Sequence, residues 1–258
     1  MVGRLSGTWA LLLALIAGNC LYASIIGTPK AEFHQTYALN PNGRVVIQNL
    51  YGDVCITAWD RDEVLVQAIK KSRDPKQLED ARIVVDSSDG LVSIHTQYAG
   101  ADAEHPASVE YRITVPRTAN LENVKLVNGG LSISGLEGSI KASSVNGSIK
   151  AEGLGGQADL STINGHLEAG FNRISRANPI SLSSVNGPIT LSIPSGSGAQ
   201  LFAHNLSGGI DSVFGHVWRA SGGHRLRTTL NRGGAQIRVN NVNGGISIRS
   251  SWNHRVVS

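Results

Sequence analysis

Residues 128–170 read NGGLSISGLEGSIKASSVNGSIKAEGLGGQADLSTINGHLEAG, and this stretch decides the fold. Glycine returns in it every nine residues, at positions 129, 138, 147, 156 and 165. The second, fourth and seventh residues after each glycine are almost always apolar, as in Leu131, Ile133 and Leu136. A repeat of fixed period is typical of stacked architectures, in which each unit packs on its neighbours.

The spacing of the apolar residues indicates strands rather than helices. The second and fourth residues after the glycine share a face only in an extended chain, where side chains alternate from one face to the other. The seventh residue has the opposite parity. We therefore predict that the chain bends between the fourth and the seventh residue, so that all three side chains point inward.

A second pattern sets the length of one coil. Asparagine precedes the glycine at 128, 146 and 164, whereas Glu137 and Gly155 stand there in the intervening units, so the true period is eighteen residues, with two strands per coil. A five-residue motif recurs with it at 143–147 (SSVNG), 161–165 (STING), 183–187 (SSVNG) and 240–244 (NNVNG). Because Asn and Gly tolerate positive φ, we predict that they form a repeated corner with Asn stacked on Asn.

A meander of β-hairpins is the alternative architecture, because Asn followed by Gly is also the strongest short signal for a type I′ hairpin. A hairpin strand keeps one inward parity along its length, which the seventh residue of the repeat does not follow. The interior must be built from Val, Ile, Leu and Ala, since only 5% of the residues are aromatic. The sequence therefore predicts an all-β protein with a β-solenoid, similar to a parallel β-helix.

The amino-terminal segment has the features of an export signal. Arg4 precedes an apolar run from Trp9 to Ala17, and Ala23 offers a small residue for cleavage. This run is short for a membrane span, and we expect no span in the chain that follows it. We therefore predict a signal peptide over residues 1–23 and an exported protein, located in the periplasm, at the cell surface or outside the cell.

The two cysteines lie on either side of the predicted cleavage site. The residues before Cys20 are one position out of register for a lipobox, and the sequence leaves its lipidation open. Cleavage after Ala23 would leave Cys55 as the only cysteine, and no intramolecular disulfide could then form. Cys55 itself is interpreted as an inert, small apolar side chain.

The rest of the chain divides near residue 120. Residues 24–120 are predicted to form an N-terminal β region, packed onto the solenoid or continuous with it, with one helical turn near Pro75. Residues 121–258 are predicted to form the solenoid repeat. Residues 171–178 interrupt the repeat, and the step from Asn164 to Asn186 is four residues longer than one coil. Insertions in a solenoid usually emerge as loops, and such loops often form binding sites.

Residues that would support catalysis or metal binding do not cluster in the sequence. Glu152, Glu168 and Asp159 fall at different phases of the repeat, and 153–158 only superficially matches a dinucleotide fingerprint. The histidines lack the spacing of a metal site. They lie at 34, 95, 105, 166, 204, 216, 224 and 254, and those at 204, 216 and 224 match no coil period. We therefore assign no catalytic, cofactor-binding or metal-binding residue.

The distribution of charge offers a functional interpretation and a structural one. After Asp211 the chain has no acidic residue and seven arginines, which are Arg219, Arg225, Arg227, Arg232, Arg238, Arg249 and Arg255. The favoured interpretation is that they protect an exposed sheet edge from aggregation. The other is that they bind anionic envelope polymers or glycans. The net charge of the whole chain is only +4, so we do not predict specific nucleic-acid binding.

The order of several motifs resembles a known family. GDV at 52–54 is followed by Ile56 and Trp59, then YRITVPR at 111–117, then the SSVNG units and LSIP at 191–194. From about Phe33 to Arg249 the chain is similar to the bacterial putative-adhesin family, whose members are exported β-strand-repeat proteins of unknown function. The resemblance implies a β-solenoid at the cell envelope and supplies no catalytic residues.

Two classes of function remain open at this point. The favoured hypothesis is a non-enzymatic exported envelope protein, adhesin-like or a scaffold, that binds through the long lateral surface of the solenoid. The alternative is a polysaccharide hydrolase or lyase on a β-helix scaffold, which requires paired carboxylates on neighbouring coils. The sequence leaves the oligomeric state and the handedness of the coil open.

Overall fold

In the computed structural model, residues 30–99, 106–220 and 222–251 are described. The predicted signal peptide, Cys20, His105, His254 and Arg255 lie outside these residues. Cys55 is half-buried and disulfide-bonded. The interpretation of Cys55 as an inert, small apolar side chain concerns the chain after signal cleavage and stays a prediction.

The described residues form 21 strands and one short helix. They are β1 (Lys30–Ala38), β2 (Arg44–Tyr51), β3 (Val54–Trp59), β4 (Glu63–Lys71), α1 (Pro75–Asp80), β5 (Ala81–Ser88), β6 (Leu91–Tyr98), β7 (Ser108–Pro116), β8 (Asn120–Asn128), β9 (Leu131–Ser134), β10 (Ile140–Asn146), β11 (Ile149–Leu154), β12 (Ala158–Asn164), β13 (Leu167–Phe171), β14 (Ile180–Asn186), β15 (Ile189–Pro194), β16 (Ala199–Ser207), β17 (Ile210–Ser212), β18 (Val217–Ala220), β19 (Gly223–Leu230), β20 (Ala235–Asn243) and β21 (Ile246–Ser251). The helical turn expected near Pro75 is α1, where the Asp74 side chain accepts a hydrogen bond from the Lys76 amide.

The strands form two sheets. Sheet A has ten strands in the order β1-β4-β7-β3-β9-β11-β13-β15-β21-β17, and sheet B has eleven in the order β18-β19-β16-β20-β14-β12-β10-β8-β2-β6-β5. Each coil consists of one strand from sheet A and one from sheet B, as β11 and β10 show. Consecutive coils pair in parallel, and Ile140 aligns with Ala158, eighteen residues later. The predicted β-solenoid with two strands per coil is confirmed, and a hairpin meander is excluded for these coils.

The order of the coils in space differs from their order in the sequence at both ends. The coil β20–β21 stacks on β14–β15, and the earlier coil β16–β17 stacks outside it. The other end repeats this arrangement, since β2–β3 lies between β6–β7 and β8–β9. Antiparallel strands extend both ends, with β1, β4 and β5 at one and β19 and β18 at the other. Each end is thus built from segments that are distant in the sequence.

The interior between the sheets is a stack of aliphatic side chains. The second and fourth residues of the repeat are buried in the central coils, as Leu131 and Ile133 or Ile149 and Ala151 show. Because these side chains superimpose from coil to coil, each is covered above and below by its own counterparts. The core therefore extends along the whole stack.

The seventh residue of the repeat points inward at only one of the two corners. Leu136 and Leu154, which follow strands of sheet A, are buried. Val145 and Ile163 are 36% and 45% exposed, because β10 and β12 keep their alternation to the end of the strand. The prediction that every seventh residue turns inward is therefore wrong in sheet B. The exposed apolar row there also contains Leu50, Val185, Val242 and Leu206.

The position buried in place of the seventh residue is polar. Ser144 and Thr162 are in register with Ser184 and Asn241, and all four are buried inside sheet B. Thr162 Oγ1 donates to the Gly147 carbonyl at 2.9 Å, and Ser144 and Asn241 make equivalent bonds at their own corners. Within the described part of the chain, Ser184 Oγ has no hydrogen-bond partner. This column satisfies glycine carbonyls at the corner, with Ser184 as the exception.

The corner after sheet B requires glycine because successive coils approach closely there. A Cβ on Gly147 would lie 1.8 Å from Gly129 O, and a Cβ on Gly165 would lie 2.3 Å from Gly147 O. Gly147 and Gly165 are not among the residues with positive φ, and neither is the asparagine before each. The prediction that positive φ explains the Asn-Gly corner is therefore wrong at Gly147 and Gly165, whereas Gly187 and Gly244 do have positive φ values of 143° and 131°. The neighbouring backbone excludes any side chain.

The asparagine before each glycine belongs to a ladder of side-chain amides. Asn243 Nδ2 donates to Asn186 Oδ1, and the series continues through Asn164 and Asn146 to Asn128, with N···O distances of 2.9–3.0 Å. The predicted stacking of Asn on Asn is confirmed. Each inner amide donates to one neighbour and accepts from the other, so the ladder favours a single register at this corner.

Replacing Gly147 by Ala is expected to lower the free energy of unfolding by about 1 to 3 kcal/mol, because the methyl group would meet the Gly129 carbonyl. Gly245→Ala is the control, since a Cβ at that position meets no atom within 4 Å. Urea denaturation of both variants measures the difference. Equal losses in the two variants would show that close approach is not the reason for glycine at 147.

The buried polar column gives a second matched pair. Thr162→Val removes the donor to the Gly147 carbonyl, so we expect a loss of about 1 kcal/mol of unfolding free energy. Ser184→Ala removes a buried hydroxyl that lacks a partner among the described residues, so stability should stay the same or rise. Denaturation midpoints compare the two. A Ser184→Ala variant that loses as much as Thr162→Val would contradict this assignment.

Candidate functional site

The arginines of the C-terminal strands occupy distinct positions in sheet B. Arg225 and Arg227 lie on β19 and Arg238 lies on β20, and all three are exposed on the outer face of the sheet. Arg219 lies on β18, which is the edge strand of the sheet. Protection of a sheet edge therefore fits the position of Arg219. The other three arginines lie away from the edge strand.

Phe202 on β16 lies between two of these arginines. It is opposite Arg227 of β19 on one side and opposite Arg238 of β20 on the other. The guanidinium carbon of Arg227 lies 5.1 Å from the centroid of the Phe202 ring, within the range of a cation–π contact. The ring therefore supports Arg227 and places a positive charge on each of its two sides.

A second row of side chains lies beside the first. His204 is opposite Arg225 and Asn240, and Trp218 of β18 is opposite Arg225. His204 Nε2 is 3.0 Å from the Gly222 carbonyl oxygen, a hydrogen bond that ties β16 to the β18–β19 turn. The two rows enclose about 430 Å³, which we name the aromatic–arginine groove. Its polar and aromatic lining residues are Phe202, His204, Trp218, Arg225, Arg227, Arg238 and Asn240.

The insertion in the repeat contributes to a second groove. The loop between β13 and β14 brings Arg176 to it, and the turn between β19 and β20 brings Arg232. Asn231 and Arg232 have positive φ values of 41° and 65°, and Asn231 Nδ2 donates to Ser197 O at 3.1 Å, which fixes the turn. This loop groove encloses about 460 Å³. Its lining residues are Arg176, Pro179, Gln200, Arg232, Gly233, Gly234 and Gln236.

The arginines of the two grooves differ in their ion pairs from arginines nearer the middle of the stack. Arg117 lies 2.8 Å from Asp60, and Arg173 lies 2.8 Å from Glu137. Among the described residues, no carboxylate forms an ion pair with any of the five groove arginines, which are Arg176, Arg225, Arg227, Arg232 and Arg238. The positive charge of the grooves is therefore not neutralised within the described protein.

The acidic residues singled out in the sequence lie on different sheets. Glu152 and Glu168 lie on the outer face of sheet A, and Asp159 lies on sheet B. Lys150 Nζ is 3.1 Å from Glu152, and Lys150 is opposite Glu168 in register. The hydrogen bond to Glu152 raises the pKa of Lys150, with a further contribution from the charge of Glu168. Asp159 therefore does not share a face with Glu152 and Glu168, which lie on neighbouring strands with Lys150 beside both.

The histidines and the glycine-rich segment occupy positions unlike those of a metal or dinucleotide site. His204 lies on the outer face of sheet B, whereas His224 is opposite the buried Asn205. In the described ranges, no group of three or more His, Cys, Asp or Glu is placed to hold a metal ion. Residues 153–158 connect β11 to β12, so a strand follows them where a dinucleotide site needs a helix.

The aromatic and amide residues of the grooves were not predicted from the sequence. The arginines and the insertion loop were, and the structure brings Arg176 of that loop together with Arg232. No local motif marks Phe202 or Trp218, because their neighbours come from other strands. The usable signal was the alternation of exposed Gln, Arg and Asn along 236–240 and of Gln, Phe and His along 200–204.

Several solved structures are similar to this chain over most of its length. A putative cell adhesion protein from Clostridium sporogenes has 12% identity and a TM-score of 0.49, covering 86% of this chain and 100% of that chain. A putative adhesin from Bacteroides fragilis has 11% identity and a TM-score of 0.40, covering 86% and 97%. A putative lipid binding protein from Parabacteroides distasonis has 12% identity and a TM-score of 0.33, covering 85% and 96%. No curated protein matches the chain significantly.

The family comparison covers nearly all of the described residues. The model described as Toastrack DUF4097, a domain of unknown function, matches residues 29–249. Across the described part of the chain, no helix has the length and apolar character needed to cross a membrane. The match extends from the start of β1 into β21 and confirms the resemblance to the putative-adhesin family. The chain belongs to the Toastrack DUF4097 family.

Proposed function

We propose that this protein is an exported, non-enzymatic envelope protein that binds anionic polymers or glycans through the aromatic–arginine groove. The observation that carries the proposal is the difference in ion pairing. Arg225, Arg227 and Arg238 face solvent without a carboxylate partner in the described residues, whereas Arg117 and Arg173 are paired. A surface that gathers guanidinium groups in this way attracts anions and raises their local concentration.

The groove combines the contacts that an acidic sugar polymer offers. The planar guanidinium group matches a carboxylate or phosphate with two parallel hydrogen bonds. Trp218 is 46% exposed and presents a flat apolar ring beside Arg225. Asn240 and His204 also line the groove and supply hydrogen-bonding groups. The groove therefore offers charge, an aromatic surface and polar side chains within one site.

Other observations support the cellular location and the non-enzymatic role in this proposal. The charged start, short apolar run and small residue within 1–23 support export, and the resemblance to the putative-adhesin family, whose members are exported, supports an envelope location. Lys150 lies beside both Glu152 and Glu168 on the outer face of sheet A and Asp159 lies on sheet B, which favours binding over cleavage of a polymer. The periplasm, the cell surface and the exterior of the cell all fit this reasoning.

Neutralising the groove should weaken binding to acidic polymers. We expect the wild type to bind immobilised polygalacturonate at low salt, to bind more weakly as salt rises and not to bind dextran. The R225Q/R227Q/R238Q variant should bind at least about tenfold more weakly, a difference of about 1.4 kcal/mol. The matched control is R44Q/R82Q/R249Q, which removes the same charge from exposed positions elsewhere.

Biolayer interferometry measures the affinities, and thermal unfolding confirms that both triple variants are folded. Equal losses of affinity in the two triple variants would mean that overall charge, and not the groove, holds the polymer. Failure of the wild type to bind any acidic glycan at low salt would contradict the proposal. Release of new reducing ends during the incubation would favour the hydrolase or lyase alternative.

A further inference from the structure

The aromatic–arginine groove and the loop groove share two strands. On β16 the outward residues are Gln200, Phe202 and His204, and on β20 they are Gln236, Arg238 and Asn240. The two strands are parallel and in register, so Gln200 aligns with Gln236, Phe202 with Arg238 and His204 with Asn240. The two glutamines line the loop groove, and the other four residues line the aromatic–arginine groove.

The two grooves therefore follow one another along the strands. Gln200 lies two residues before Phe202 on the same face of β16. Gln236 lies two residues before Arg238 on the same face of β20. At about 3.3 Å per residue, the stretch from Gln200 to His204 alone covers about 13 Å. Arg176 and Arg232 add a further positive pair at the glutamine end. The continuous surface is longer than a single sugar ring.

We infer that the two grooves form one binding track for an extended acidic polysaccharide, with its acid groups held at two places. Arg225, Arg227 and Arg238 hold one acid group, and Arg176 and Arg232 hold another further along the polymer. The glutamine side chains between the two places meet sugar hydroxyl groups. This inference rests on the proposed function and adds to it the class of ligand, its direction along the strands and the role of the insertion loop.

The side chains of the track favour a glycan over a single-stranded nucleic acid. Bases bind to a series of open aromatic rings. Here the Phe202 ring carries the Arg227 guanidinium at 5.1 Å from its centroid. Among the described residues of the track, Trp218 is the aromatic side chain that is exposed to solvent. Gln200, Gln236 and Asn240 instead offer amides, which suit hydroxyl-rich sugars.

Two arginine sites on one track predict that affinity depends on the length of the ligand. When a long ligand has bound one site, its binding to the second site is intramolecular. Its overall affinity therefore exceeds that of a short ligand. We expect long oligogalacturonate to bind the wild type at least about tenfold more tightly than the disaccharide. The R176Q/R232Q variant should lose this gain and bind the disaccharide as the wild type does. The R225Q/R227Q/R238Q variant should bind both ligands weakly.

The matched control is R173Q/R249Q, which removes one arginine from the same insertion loop and one from sheet A. It should keep the gain with length, because Arg173 lies 2.8 Å from Glu137 and does not line the loop groove. Isothermal titration of each full-length variant with both ligands gives the affinities. A phosphorylated oligomannose series repeats the comparison, to show whether carboxylate or phosphate is the preferred acid group.

The outcomes separate this inference from the proposed function. If R176Q/R232Q keeps the full gain with length while the triple variant loses binding, the single track is wrong and the proposed function stands. If the wild type binds neither ligand series, both fail. If single-stranded DNA of equal length binds more tightly than either glycan series, the inferred ligand class is wrong. Loss of the gain in R176Q/R232Q alone supports the track.

Discussion

The close approach of backbones at the corner after sheet B is the constraint on which the rest of the structure depends. The carbonyl of one coil occupies the space where the next coil would place a Cβ. A Cβ added to Gly147 would lie 1.8 Å from Gly129 O. Side chains on either side must then repeat with the coil. The asparagine amides meet outside the corner, and Ser144 and Thr162 reach the glycine carbonyls from inside.

This constraint also controls the order of the coils at the C-terminal end. The segment 240–244 repeats the corner motif, and Asn243 joins the amide ladder on Asn186 although β15–β19 lie between them in the sequence. The coil β20–β21 therefore takes the place next to β14–β15, and β16 is displaced one position outward. As a result Phe202 lies between Arg238 and Arg227, an arrangement that does not exist in the linear sequence.

The central coils could be predicted from the sequence because their information is local and repeated. The eighteen-residue period, two strands per coil and the stacking of Asn on Asn all follow from residues within one or two units. The inward turn of Val145 and Ile163 was predicted wrongly, because hydrophobicity alone does not show that Ser144 and Thr162 take the buried position to bond backbone carbonyls. A buried hydroxyl with a partner replaces the apolar side chain there.

The grooves could be predicted only in part, since their arginines are a signal of composition and their geometry depends on the order of the coils. Arg176 comes from the insertion after β13, Arg238 from β20 and Phe202 from β16, so three distant segments meet on one face of sheet B. A ligand that contacts all three segments binds only the completed stack and stabilises it relative to any form in which the end has opened. For such a ligand, binding would be thermodynamically linked to closure of this end of the solenoid.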